Sequence, residues 1–209
     1  MPKGFSEEEK ARIRESLLQA GRKRFTRYGL DKTTIEELAG AAGIAKGSFY
    51  LFFDSKEDLY VELLAEAMPE VEKGVYARSL EATDDPREAI VLFQEEIVRE
   101  MERDELIRRL VTNPEELEHL LHSAPEKVVP WGWRLGLFPA VLEWVRKKQK
   151  KGEIVAEDPE VVASMLGLIQ FLPMHEDDLD PAIYPRLMRL MVQVIADGMT
   201  CPARRARNR

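Results

Sequence analysis

Cysteine is nearly missing from this chain: Cys201 is the single one in 209 residues, which leaves no disulfide framework and no cysteine-based zinc site. Histidine is scarce as well. His119, His122 and His175 make no HExxH motif, and no nucleophile elbow, P-loop or dinucleotide fingerprint occurs. His119 and His122 lie three apart and read as a surface pair. No run of about 18 apolar residues is present, so no membrane partner or membrane span is expected. The N-terminus, MPKGFSEEEK, is too acidic and polar for a secretion signal, and the expected compartment is the cytoplasm. Strand-like alternation, internal repeats and low-complexity tracts are absent too. What is left is an all-helical chain for which the sequence assigns no catalytic residue, no metal and no cofactor.

Charge is short of balance, with 31 Lys and Arg against 38 Asp and Glu, for a net −7. The deficit is unevenly placed. Residues 1–60 carry eleven cations and ten anions; residues 61–200 carry sixteen and twenty-eight; residues 201–209 carry four arginines. An acidic body repels a nucleic acid and leaves the N-terminal end as the part able to approach one.

The informative stretch runs from Thr33 to Lys56, TTIEELAGAAGIAKGSFYLFFDSK. Thr33 or Thr34 can cap a helix, with Glu36 or Glu37 three residues on to complete a capping box. Ile35, Leu38, Ala39 and Ala42 recur at helical spacing. Gly43 supplies a left-handed position where the helix stops and the chain turns. The residues after Ile44, AKGSFYLF, make about two turns of a second helix. Phe49 with Phe52 or Phe53 points to one side, and Lys46, Gly47, Ser48 and Tyr50 fall largely on the other. Asp54 or Ser55 can cap the helix that follows. So short a helix is unstable alone, so its neighbour must hold it. Two helices packed closely at a steep angle, the second with a donor-rich outer face, form the helix-turn-helix that fits a major groove.

Thr34, Ala39, Gly43-Ile44, Lys46-Gly47-Ser48, Tyr50, Phe53 and Ser55-Lys56 carry a resemblance to the DNA-binding region of the TetR family of transcriptional regulators. It covers roughly the first 65 residues; beyond them, helical layout and chain length agree with the family. The resemblance implies a three-helix DNA-binding domain over 1–54 and a helical effector-binding and dimerisation domain over 55–200, followed by a basic tail over 201–209. It implies double-stranded DNA, a second copy of the chain and a small-molecule effector as partners. The function expected is a repressor released from a palindromic operator by an apolar or aromatic effector. The alternative is a helical enzyme or protein-interaction module that keeps the fold without sequence-specific DNA binding. Lys46 would reach a phosphate or a guanine edge, and Ser48 and Tyr50 bases or backbone. Gly47 would permit close approach, and Thr34 and Lys56 would fix phosphates at helix N-termini. Leu51 stands where the family often has a polar residue and can touch a thymine methyl.

Elsewhere Ser6 to Glu9 starts a first helix ending near Gly29 and lined by Ile13, Leu17, Ala20, Gly21, Phe25 and Tyr28. The cations Arg22, Lys23, Arg24 and Arg27 crowd its last turns, as a solvated dipole-matched end or as phosphate neighbours. A fourth helix runs from Lys56 to about Val75, and Pro69 should kink or end it. Further helices start at Asp85-Pro86, Leu106, Asn113-Pro114, about Trp133, Asp158-Pro159 and Pro181 or Tyr184. Glu115, Glu116 and Glu118 read as a solvated acidic cluster. The last two helices, to about Leu172 and to Gly198, are apolar on more than one face. That requires cover on several sides and predicts a homodimer through a four-helix bundle. Phe93, Trp131, Trp133, Phe138, Trp144, Met165 and Phe171 are either packing residues or the lining of an apolar effector pocket. Met174, Arg134 and His175 would then stand beside them.

Overall fold

The computed structural model describes residues 5–123, 139–169, 172, 176 and 178–200. Among these residues every regular element is helical. The chain divides into two compact units. One is Met1–Met68 with Glu105–Val128, and the other is Pro69–Asp104 with Val129–Arg209.

The first unit opens with α1 (Glu7–Tyr28). Its start is a complete capping box: Glu9 N–H donates to Ser6 Oγ at 3.2 Å, and Ser6 N–H to the Glu9 carboxylate at 2.7 Å. Its end is Gly29 at φ 82°, a left-handed value that suits glycine. Helix α2 (Ile35–Ala41) and α3 (Lys46–Phe49) follow, then α4 (Lys56–Arg78). Leu17, Phe25, Leu30, Leu38, Phe49, Leu59 and Tyr60 form a core with no solvent exposure. The Phe25 and Tyr60 rings lie 4.9 Å apart. Gly21 lets α1 approach α4 so closely that a Cβ there would overlap Leu59 Cδ2.

Helices α6 (Glu105–Thr112) and α7 (Pro114–Ser123) complete this unit. Leu106, Ile107, Leu110 and Leu120 are buried. Glu116, expected to be solvated, is 7% exposed. It faces inward because its carboxylate accepts from Leu30 N–H at 3.3 Å and from Arg109 Nε at 2.9 Å. His119 is not a free surface residue either: Nδ1 lies 2.7 Å from Asp31 and Nε2 3.4 Å from Glu57. The boundary expected after residue 54 therefore does not coincide with the compact units. The first turns of α4 pack with α1, and α6 and α7 return to the same core. Helix α4 also passes through Pro69 without ending, and Pro69 is the first residue of the second unit.

In the second unit, Asp85 caps α5 (Pro86–Arg103) by accepting from Arg87 N–H at 2.8 Å. Its stripe of Ile90, Phe93 and Ile97 is buried. Helix α8 (Pro139–Lys150) buries Val141, Trp144 and Val145 and gives way to Gly152 at φ 69°. Lys148 is 5% exposed, with its ammonium 2.8 Å from the Asp84 carbonyl and 2.9 Å from Glu153. Helix α9 (Pro159–Gly167) stops short of the expected Leu172, because Leu168 and Ile169 adopt a tighter 3₁₀ turn. Helix α10 (Tyr184–Thr200) starts at the second of its two expected positions and packs on α5. The arginine tail, 201–209, lies outside the described residues.

Candidate nucleic-acid interface

Thr34 caps α2 in a reciprocal box with Glu37. Glu37 N–H donates to Thr34 Oγ1 at 3.3 Å, while Thr34 N–H and hydroxyl both donate to the Glu37 carboxylate at 3.0 Å. Those bonds, first the backbone and then the hydroxyl, hold the Glu37 carboxyl below the usual carboxylate range. Arg24 completes the cluster through an ion pair with Glu37 and lies 5.1 Å over the Tyr28 ring. Much of the cationic end of α1 is thus engaged within the protein.

The turn follows from Gly43 at φ 73°. Ile44 N–H reaches back to the Ala39 carbonyl at 3.0 Å, and Ala39 is 1% exposed. Helix α3 is shorter than its sequence suggests. Only Lys46–Phe49 is α-helical, because Leu51 N–H bonds to Ser48 at 3.2 Å and Phe52 N–H to Phe49 at 2.9 Å, a three-residue spacing that tightens the last turn. Phe49 and Phe53 anchor the inner side, with exposures of 0% and 5% and ring centroids 5.9 Å apart. Arg14 lies 5.2 Å over the Phe53 ring from behind and pairs with Glu62.

The outer side is open. Lys46 and Gly47 are exposed, Ser48 is half-buried, and Tyr50 and Leu51 are 51% and 70% exposed. Among the described residues no atom would meet a Cβ at Gly47, so they do not dictate glycine there. Lys46 is not a bare charge, since it forms an ion pair with Glu36 across the turn. The bonded Glu36 carboxylate raises the ammonium above its ordinary range, and Lys46 lowers Glu36 in return. Sequence reading missed this partner, ten residues away, because only the folded turn brings the two together. Lys56 points inward: its ammonium donates to the Leu30 and Thr33 carbonyls at 2.7 and 3.1 Å. It ties the start of α4 to the α1–α2 connection and keeps one of its three donors. Thr34, Lys46, Gly47, Ser48, Tyr50 and Leu51 thus share one helical hairpin and its open side, with Lys56 braced behind it.

The second-unit aromatics do not gather into one lined cavity among the described residues. Phe93 and Trp144 are core residues at 0% and 4% exposure, and Met165 is 42% exposed. None of the three lines the cavity between α5 and α10. Trp131, Trp133, Arg134, Phe138, Phe171, Met174 and His175 lie outside the described residues. Among the described residues no group of three or more His, Cys, Asp or Glu could hold a metal. No described helix is long and apolar enough to cross a membrane.

Residues 17–63 match the model of the family described as bacterial regulatory proteins, tetR family. The transcriptional repressor KstR2 of Mycolicibacterium smegmatis is 32% identical over 103 residues, 41% of this chain and 50% of that protein. The chain thus spans about half the length of this relative. A TetR-family regulator of Pectobacterium atrosepticum superposes with a TM-score of 0.70 at 18% identity, over 95% of this chain and 100% of that one. The fatty acid degradation regulator FadR of Bacillus halodurans does so with a TM-score of 0.60 at 20% identity, over 99% and 100%. Residues 17–63 thus carry a helix-turn-helix of the TetR type, and the fold along the chain is the one these TetR-family regulators share.

Proposed function

We propose that this chain is a ligand-responsive repressor that binds a palindromic operator as a homodimer and leaves it when a small effector binds the second unit. The observation that carries the reading is the outer side of α3. Lys46, Tyr50 and Leu51 stand open there, on a helix clamped from behind by Phe49 and Phe53. Lys46 exchanges Glu36 for a phosphate or a guanine edge, and Ser48 and Tyr50 bond to bases or backbone. Leu51 covers a thymine methyl, and Gly47 lets the backbone approach. Thr34 flanks a phosphate at the start of α2, and Lys56 has one N–H left for another.

Dimerisation rests on two apolar stripes. Val161, Met165 and Leu168 follow each other at i, i+4 and i+7 on α9 and just beyond it, with exposures of 56%, 42% and 59%. Ile183, Leu190 and Val194 are 54%, 62% and 59% exposed. At 3.6 residues per turn they lie on the side of α10 opposite the buried Val192, Ala196 and Met199. A second copy covering both stripes makes a four-helix bundle and presents two α3 helices to successive major grooves, about 34 Å apart. The effector acts through α4, which supplies residues to both units. A bias of ~1–3 kcal/mol toward the wrong head spacing suffices for release. The protein works in the cytoplasm, where its operator is.

Selection from random duplexes by the purified protein tests the reading. A palindrome is expected to be enriched. No enrichment at low salt would refute the reading and favour a helical enzyme or interaction module on the same fold.

A further inference from the structure

A cavity of about 420 Å³ opens between α5, the turn after α9, and α10. Val98, Ile169, Met188 and Val192 supply its apolar lining. Two glutamines also line it, and they differ. Gln193 accepts a hydrogen bond from Arg87 at 2.5 Å. Gln94 has no solvent exposure, and among the described residues neither its amide nitrogen nor its amide oxygen has a hydrogen-bond partner. A buried amide left unpaired costs stability, and native interiors seldom leave one without a purpose. Beside an open apolar cavity, its simplest purpose is to meet a ligand.

We infer that this cavity binds a neutral, mainly apolar molecule carrying a hydroxyl or amide group, and that Gln94 recognises that group. The inference rests on the proposed effector response and deepens it by naming the ligand's chemistry. The amide offers one donor side and one acceptor side. A hydroxyl or an amide satisfies both; a carboxylate satisfies the donor and sets its charge against the oxygen. The charges around the cavity do not select an anion. Arg99 and Arg189 are matched by Glu95 and Glu102, and Arg99 is already paired with Glu96. The surroundings are acidic besides, with twenty-eight anions against sixteen cations over residues 61–200, which repels anionic ligands. Met188, flexible at three side-chain torsions, gives the lining a side chain that can adjust to a ligand.

The test uses three molecules of matched shape, p-cresol, p-xylene and p-toluate, titrated into the full chain by calorimetry. The wild type is expected to bind p-cresol about tenfold or more tighter than the other two. Gln94→Met is expected to lose that preference and to melt no lower than wild type, since it removes an unpaired polar group. Failure of all three to bind, a preference for p-toluate, or p-cresol binding unchanged in Gln94→Met would each overturn the inference. A large fall in melting temperature in Gln94→Met would do so too, by showing that the amide supports the fold. No DNA is present in these titrations. A chain that binds p-cresol as expected but selects no palindrome refutes the repressor reading alone; the reverse result refutes this inference alone.

Discussion

Replacing Leu51 with alanine separates folding from DNA binding more cleanly than any other change at α3. Leu51 is 70% exposed, so most of its surface does nothing for the folded chain. Full burial of a leucine contributes ~1.5–3 kcal/mol. The part already covered is less than a third of that, and alanine keeps some of it, so the stability cost is about 0.5 kcal/mol. The open part is what a duplex would cover. Its loss removes ~1–2 kcal/mol of binding, or roughly five- to thirtyfold in affinity. No charge is removed, so the dependence of affinity on salt stays as in wild type. The assay is fluorescence anisotropy on the enriched duplex at several salt concentrations, beside a urea melt of each variant. Leu51→Met keeps the volume and apolar character and should bind nearly as wild type does. Leu51→Ala binding within twofold of wild type, with its fold intact, would refute the placement of Leu51 against DNA.

Lys46→Ala should act in the complementary way, lowering affinity on all sequences and reducing the salt slope by about one; an unchanged slope in the same titration would remove Lys46 from the phosphates. Gly21→Ala sets a methyl against Leu59, which has no exposure and little room to move. A loss of ~1–3 kcal/mol in a urea melt is expected, and a neutral result would mean that α1 and α4 are less tightly apposed. The Glu37 carboxyl is held below its ordinary value of 4.5 by the Thr34 backbone and hydroxyl. A depressed carboxyl stabilises fully above its unfolded pKa and loses that contribution as pH falls through the folded one. The melting difference between wild type and Glu37→Ala should therefore be complete above pH 4.5 and shrink below it; an equal difference at every pH would contradict the cap. Leu168→Glu with Val194→Glu charges two exposed positions and should leave the monomer folded while shifting sedimentation to monomer mass. Wild type sedimenting as monomer at micromolar concentration would refute the dimer outright.

Local chemistry makes many helix ends of both units legible in the sequence. Ser6, Thr34, Asp85 and Asp158 each sit at the head of a helix because their side chains satisfy free N–H groups. Gly29, Gly43 and Gly152 mark left-handed positions. Such signals reach three or four residues along the chain. What they could not show depends on distant residues. Glu116 reads as a solvated acid until Leu30 N–H and Arg109 close on it. Lys56 reads as a free cation until the Leu30 and Thr33 carbonyls face it, and Lys46 until Glu36 does. Pro69 reads as a kink or an end of the fourth helix, and α4 continues through it. The aromatic set reads equally as packing or as a pocket lining, because composition does not tell a core tryptophan such as Trp144 from a pocket wall. Gln94 carried no signal at all, since an unpaired amide is visible only in three dimensions.

In the proposed dimer two copies of α3 read one duplex from the same side. A hydroxyl-radical footprint of the protein on its enriched duplex measures this directly. Two protected patches are expected, related by the two-fold axis of the palindrome and centred about one helical turn, 34 Å, apart. One patch, or protection without symmetry, would contradict this arrangement.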